Sequence, residues 1–150
     1  MLEGPPLVAE FLHRQHQTGG SVRAGVSEEA LRAFEQLNGT LPVDMRSFYL
    51  AVDGMDDDSP FESWARILPI AEVVQVRRQF PGDQPEEALL IGDGMISAVF
   101  FAIDLAGAAG PPSSVYLVGP QALLVAASFG EFVNHILNDS PRLYHGDRPV

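Results

Sequence analysis

A Leu-Pro step at Leu41-Pro42, with Asn38-Gly39 just before it and Asp53-Gly54 shortly after it, constrains this chain more than any other feature. A proline disfavours the helical conformation at the residue before it and fixes its own φ, so the step forces a corner between two short elements. Ahead of the corner, Leu31, Phe34 and Leu37 repeat at three-residue spacing. They predict an amphipathic helix that opens at Ser27, whose hydroxyl can accept from first-turn amides, with Glu28 and Glu29 near the positive end of the dipole. Asn38-Gly39 supplies left-handed positions that stop it. Beyond the corner, Met45, Phe48, Tyr49 and Val52 form the apolar stripe of a second helix ended by Asp53-Gly54. Neither helix is long enough to stand alone in water, so the pair is expected to lie over a sheet.

The remaining segments supply that sheet. Pro5-Pro6 followed by LVAEFLHRQH predicts an N-terminal helix over residues 6–17, with Leu7, Val8, Phe11 and Leu12 on one face and Thr18-Gly19-Gly20 ending it. Residues 55–62, which include Asp56-Asp57-Asp58 and Ser59-Pro60, are expected to form an exposed loop. Residues 66–70 predict a short strand, placed at an edge or ended there by Pro69. Residues 72–80 are ambiguous: Val73, Val74 and Val76 favour strand by propensity, whereas the nearby proline favours a short helix or turn. A second acidic loop over residues 81–87 precedes ALLI. Gly92-Asp93-Gly94 then reads as a hairpin turn into MISAVFFAID, a strand apolar on both faces and therefore expected at the centre. Residues 106–114 read as a flexible connection, and SVYLV and ALLVAA as paired strands around Gly119-Pro120. Ser128 and Glu131 form a capping box for a closing helix with Phe129, Phe132, Val133, Ile136 and Leu137 on its inner face. The tail over residues 139–150 is expected to follow the surface or move freely. Helices, a meandering sheet and a closing helix make one α+β domain over residues 1–150, its sheet mainly antiparallel.

At 150 residues the chain is long enough to bury a core without staples, and it has no Cys. Disulfides and cysteine zinc sites are thereby excluded, and a reducing, cytoplasmic location is expected. The N-terminus shows no basic region ahead of an apolar core. The most apolar stretch, residues 95–106, is interrupted by Asp104 and falls short of the roughly 20 residues a membrane helix needs. The charge is -11, and residues 51–100 alone carry -7, against -2 for each flanking third. Such a field repels nucleic acid and anionic lipid and raises the encounter rate with a basic protein. All nine basic residues are Arg. The absence of Lys excludes Schiff-base chemistry and a Walker A phosphate loop.

Catalytic and metal-binding patterns are sparse. His13 and His16 sit three apart on the first helix, but no further His or Cys is spaced to complete a zinc set. Asp56, Asp57 and Asp58 lack the alternation and central glycine of a calcium loop. Ser128 stands at a strand-to-helix junction, as a hydrolase nucleophile would. Ala126, however, occupies the place of the first glycine of G-x-S-x-G, and the hydroxyl already serves as a helix cap. No cofactor, no metal and no enzymatic activity are expected. Trp64, the single Trp, is either a core anchor or an interface hot spot beside a polar rim.

Four pieces in order carry a family resemblance: LRAFEQLNGTLPVDMRSFYLAVDG (31–54), WARILPIAEV (64–73), LLIGDGMISAVFFAIDL (89–105), and SVYLV followed by SFGEFVNHIL (114–137). Together they resemble the SMI1/KNR4 group, the SUKH superfamily, over residues 28–137. The matching positions are fold positions: Leu41-Pro42, Phe48, Gly54, Leu68-Pro69, Ile91-Gly92-Asp93 and Phe132. The chain departs from the pattern at Met95-Ile96 and in its acidic loops. The resemblance implies a non-catalytic protein-binding module, of the kind that serves in bacteria as an immunity protein against a toxin. With the charge placement, it implies a basic protein partner held by Asp56, Asp57, Asp58, Glu62, Trp64, Glu86 and Glu87. The alternative is a regulatory scaffold or small-ligand-binding domain of the same fold.

Overall fold

The computed structural model describes residues 2–19, 22–56, 61, 65–80, 85, 87–94, 99–105, 113–119 and 122–147. Six α-helices among them are α1 (Gly4–Gln17), α2 (Glu28–Asn38), α3 (Val43–Ala51), α4 (Val76–Gln79), α5 (Phe129–Leu137) and α6 (Arg142–His145). Six strands, β1 (Arg66–Ile67), β2 (Val74–Gln75), β3 (Ala88–Gly94), β4 (Val99–Asp104), β5 (Val115–Leu117) and β6 (Leu123–Ala126), form one sheet in the order β1-β3-β4-β5-β6. β2 also pairs with β3, and every described pairing is antiparallel. The architecture is α+β, as the element order predicts. β4 lies centrally and β1 at the edge, each where its sequence puts it.

The corner at Leu41-Pro42 is held by one carboxylate. Glu35 accepts the Leu41 amide at 2.9 Å and the Arg46 guanidinium at 2.9 Å, so the end of α2 and the start of α3 share a single anchor. Arg46 also reaches Glu28 at the far end of α2. Below the corner, α3 turns Met45, Phe48 and Tyr49 inward. Phe48 meets Phe11 of α1 edge-on at 5.1 Å and Phe129 of α5 at 5.3 Å, while Phe132 of α5 meets Phe101 of β4 at 5.0 Å. This chain of rings joins three helices to the centre of the sheet. Each fully buried Phe contributes on the order of 1.5–3 kcal/mol of transfer free energy.

The caps form as their residues dictate. Ser27 accepts from the Ala30 amide and Ser128 from the Glu131 amide, both at 3.1 Å. The Glu131 carboxylate in turn accepts from the Ala127 amide, one residue before the cap.

Several expectations are corrected. Gly92-Asp93-Gly94 is no turn; it is the second half of β3, after a register shift between Leu90 and Gly92. Its last residue, Gly94, pairs with Val99 at the start of the antiparallel β4. Gly92 is needed because a Cβ there would stand 2.8 Å from the Arg66 carbonyl and 3.3 Å from the Phe132 ring. Leu37 keeps its helical spacing but is 82% exposed, because α2 lies over the rim and turns only its Leu31 side fully into the core. Residues 55–62 are not wholly an exposed loop, since Met55 and Phe61 are buried in the main hydrophobic cluster. The ambiguous stretch after Pro69 divides into a 3-10 turn (Ile70–Glu72), the short β2 and the single turn of α4. Of the two expectations for the tail, following the surface holds for its described part, which is docked through Gly146. Leu143 is buried, and Arg142 donates to the Val125 and Leu124 carbonyls at 2.9 and 3.1 Å, covering the outer edge of β6.

Candidate functional site

Asp56 lies at the corner where the chain leaves α3 and passes β1. Asp53 and Asp56 both bind Arg23, at 3.3 and 3.0 Å, and Asp53 also accepts the Ile70 amide at 2.7 Å. Behind them Arg66 and Asp93, opposite each other in the β1–β3 pair, form a buried bidentate pair at 3.2 and 3.1 Å. Glu72 stands 3.5 Å from the same guanidinium. Tyr49, wholly buried, donates its hydroxyl to the Leu68 carbonyl. Burial, with Asp53 and Glu72 nearby, holds its phenol protonated far above the ordinary range. The Asp56 hydrogen bond likewise raises Arg23. Four carboxylates around two guanidinium groups leave this corner acidic.

Of the acidic residues expected to meet a partner, Asp56 and Glu87 are described and both are exposed. Asp57, Asp58, Glu62, Trp64 and Glu86 lie outside the described residues. The structure does not bring Asp56 and Glu87 together. Asp56 follows Met55, whose amide bonds Ile67 opposite Gly92, whereas Glu87 precedes Ala88 at the other end of β3. Five residues of strand separate those levels, roughly 16 Å.

A second surface was not anticipated. The N-terminal turns of α1, α3 and α5 converge on an open groove of about 880 Å³. Leu2, Pro5, Pro42 and Val43 make its apolar wall, and Val43 is 82% exposed. Glu3, Asp44 and Glu131 stand on its rim, and none of the described residues that line it is basic. Asp44 accepts from its neighbour Met45 and from Gly130 at the head of α5, both at 2.9 Å, which pins α3 to α5. A proline at the start of a helix followed by an exposed Val was the available signal, but nothing local says that three such starts meet.

The sequence profile of the SMI1/KNR4 family (SUKH-1) matches residues 25–135, from just after the Ala24–Val52 bridge to the last turn of α5. The chain belongs to this family. No curated protein matches it in sequence. Within the matched SUKH-1 domain the signature residues act as structural parts: the Leu-Pro corner, Gly54 with a φ of 64°, and Gly92-Asp93 in β3 against β1. α1 and α6 lie outside the matched span, yet Phe11 and Leu143 are buried in the same core.

In this SUKH-1 chain Ser128, Glu131 and His135 share α5 without forming a nucleophile and base. Seven residues of helix separate Ser128 from His135, about 10 Å of rise, whereas proton transfer needs hydrogen-bond reach. His135 instead sits 3.3 Å from Glu131, and burial holds it below its ordinary range. His13 and His16 are exposed on α1. Among the described residues no three His, Asp or Glu side chains converge as a metal site, and no helix is long and apolar enough to cross a membrane.

Proposed function

We propose that this SUKH-1 protein is a non-catalytic binding module of the immunity type, which masks a basic partner protein, a toxin, inside the cytoplasm. The observation that carries the reading is the concentration of acid in the middle of the family domain, where residues 51–100 hold -7 of the total -11. A field of that sign accelerates encounter with a basic protein and opposes nucleic acid and anionic membrane. The proposed contacts are Asp56, Asp57, Asp58, Glu62, Trp64, Glu86 and Glu87. We take the whole of residues 1–150 as one domain for this purpose, with α1 and α6 as flanking supports.

The test is retention of proteins on the immobilised chain from lysate of its own source, at low and high salt, followed by binding measurements on whatever basic protein is retained. The expected result is a partner whose affinity falls steeply with salt. Changing Asp56, Asp57, Asp58 and Glu62 to Asn or Gln is expected to weaken it and flatten the salt dependence. Unchanged affinity and unchanged salt slope in that variant would remove the site assignment. Absence of any basic partner, together with thermal stabilisation by a metabolite, would favour the alternative of a small-ligand domain.

A further inference from the structure

The groove between α1, α3 and α5 differs in chemistry from the acidic loops, because it combines an exposed apolar wall with a rim whose described charges are all acidic. Three helix N-termini would ordinarily make such a place attractive to an anion. At α3 and α5 that potential is already met within the chain, whereas α1 begins without a side-chain cap, the exposed Glu3 at its head. Asp44 takes the Gly130 amide, Ser128 takes the Glu131 amide, and the Glu131 carboxylate lies over the same turn. What α3 and α5 leave facing outward is acceptor capacity. An ionised carboxylate offers about four acceptor sites, and Asp44 and Glu131 each meet two protein groups. Glu3 adds an exposed carboxylate on the α1 side.

An occupant must therefore bring donors or positive charge to the rim and an apolar side chain to the wall. We infer that the groove is a docking site for a segment of the basic protein partner in which a Leu or Phe, seated against Val43 and Pro42, is flanked by Arg or Lys reaching Asp44 and Glu131. The inference rests on the reading of a basic protein partner and moves the apolar anchor of that contact away from the acidic loops. Leu2, Gly4 and Pro5 of its wall precede the matched family span, so this part of the contact is built by residues this chain adds to the SUKH-1 core.

The test uses the full chain labelled with ¹⁵N and a synthetic eight-residue peptide with one central Leu flanked by two Arg on each side. Two control peptides replace the Leu by Ser or the Arg by Glu. The expected result is amide shifts at Val43, Ser47, Gly130 and Glu131, with at least tenfold weaker binding of either control. Val43→Arg, a change at a side chain 82% exposed and so harmless to the fold, is expected to weaken the Leu peptide at least tenfold. Asp56→Asn is expected to leave that affinity within twofold. Shifts confined to Arg23, Asp53 and Asp56 that disappear in Asp56→Asn would overturn the groove and leave the basic-partner reading standing. No binding of the Leu peptide at millimolar concentration would overturn the groove, and a failure to retain any basic protein from lysate would separately remove the reading beneath it.

Discussion

Removing Asp93 is expected to be among the most damaging single changes in the sheet, although it deletes one short polar side chain. Arg66 and Asp93 are each only 9% exposed and make two parallel hydrogen bonds across the β1–β3 pair. Breaking a buried pair from one side strands a charge in a poorly solvated place, at about 3–5 kcal/mol. Glu72, 3.5 Å from Arg66 and half exposed, takes up part of that charge, so Asp93→Ala should fall near the lower end, about 3 kcal/mol. Arg66→Met removes the bidentate partner of the carboxylate instead, beside the repelling Glu72, and should cost about as much. The double variant Arg66→Met with Asp93→Leu removes both charges and should cost no more than about 1 kcal/mol, because an apolar pair can replace a buried ion pair with little loss. The assay is urea unfolding of the four proteins of the cycle at pH 7, read as midpoints at constant m. Single variants within about 1 kcal/mol of wild type, or a double variant as costly as the sum of the singles, would show that the pair is not the clamp between β1 and β3 described here.

Three further outcomes are expected. Gly54→Ala combines a φ of 64° with a Cβ 2.5 Å from the Leu68 carbonyl, so it should cost at least about 2 kcal/mol in a thermal or urea melt; a near-neutral Ala would mean that the segment between α3 and β1 relaxes freely. His135 is lowered from its ordinary 6.5 first by burial, with Arg142 adding to the effect and Glu131 opposing it. The unfolded chain thus binds the proton more readily than the folded one, and the contribution of His135 to stability is present above 6.5 and lost as pH falls below it. Stability between pH 7.5 and 5.5 should therefore decline less steeply in His135→Phe than in wild type, and an unchanged slope would contradict the assignment. Phe11→Ala empties a fully buried ring site between α1 and α3 and should cost about 3–5 kcal/mol. The whole chain should still unfold in one transition by circular dichroism and Trp fluorescence; separate melting of α1 would break the single-domain reading.

What the sequence determines here is whatever depends on neighbours a few residues apart. Ser27 and Ser128 cap their helices, Leu41-Pro42 turns its corner, and the stripes Met45-Phe48-Tyr49 and Phe129-Phe132-Val133 face inward, because caps, prolines and helical spacing act within one or two turns. Pro69 ends an edge strand for the same reason. Tertiary structure decides the rest. Gly92-Asp93-Gly94 has the local chemistry of a turn, yet it continues β3 because Arg66, 27 residues away, supplies the partner for Asp93, and the β1 backbone and the Phe132 ring need the space at Gly92. Leu37 has the right period and faces solvent, since only the neighbouring elements fix which side of α2 is covered. The tail reads either as following the surface or as mobile, and the bonds from Arg142 to the carbonyls of β6 decide for the first. The groove has no signature at all: Pro5, Val43 and Gly130 are far apart in the chain, and its apolar wall and acidic rim exist only because packing brings three helix starts to one place.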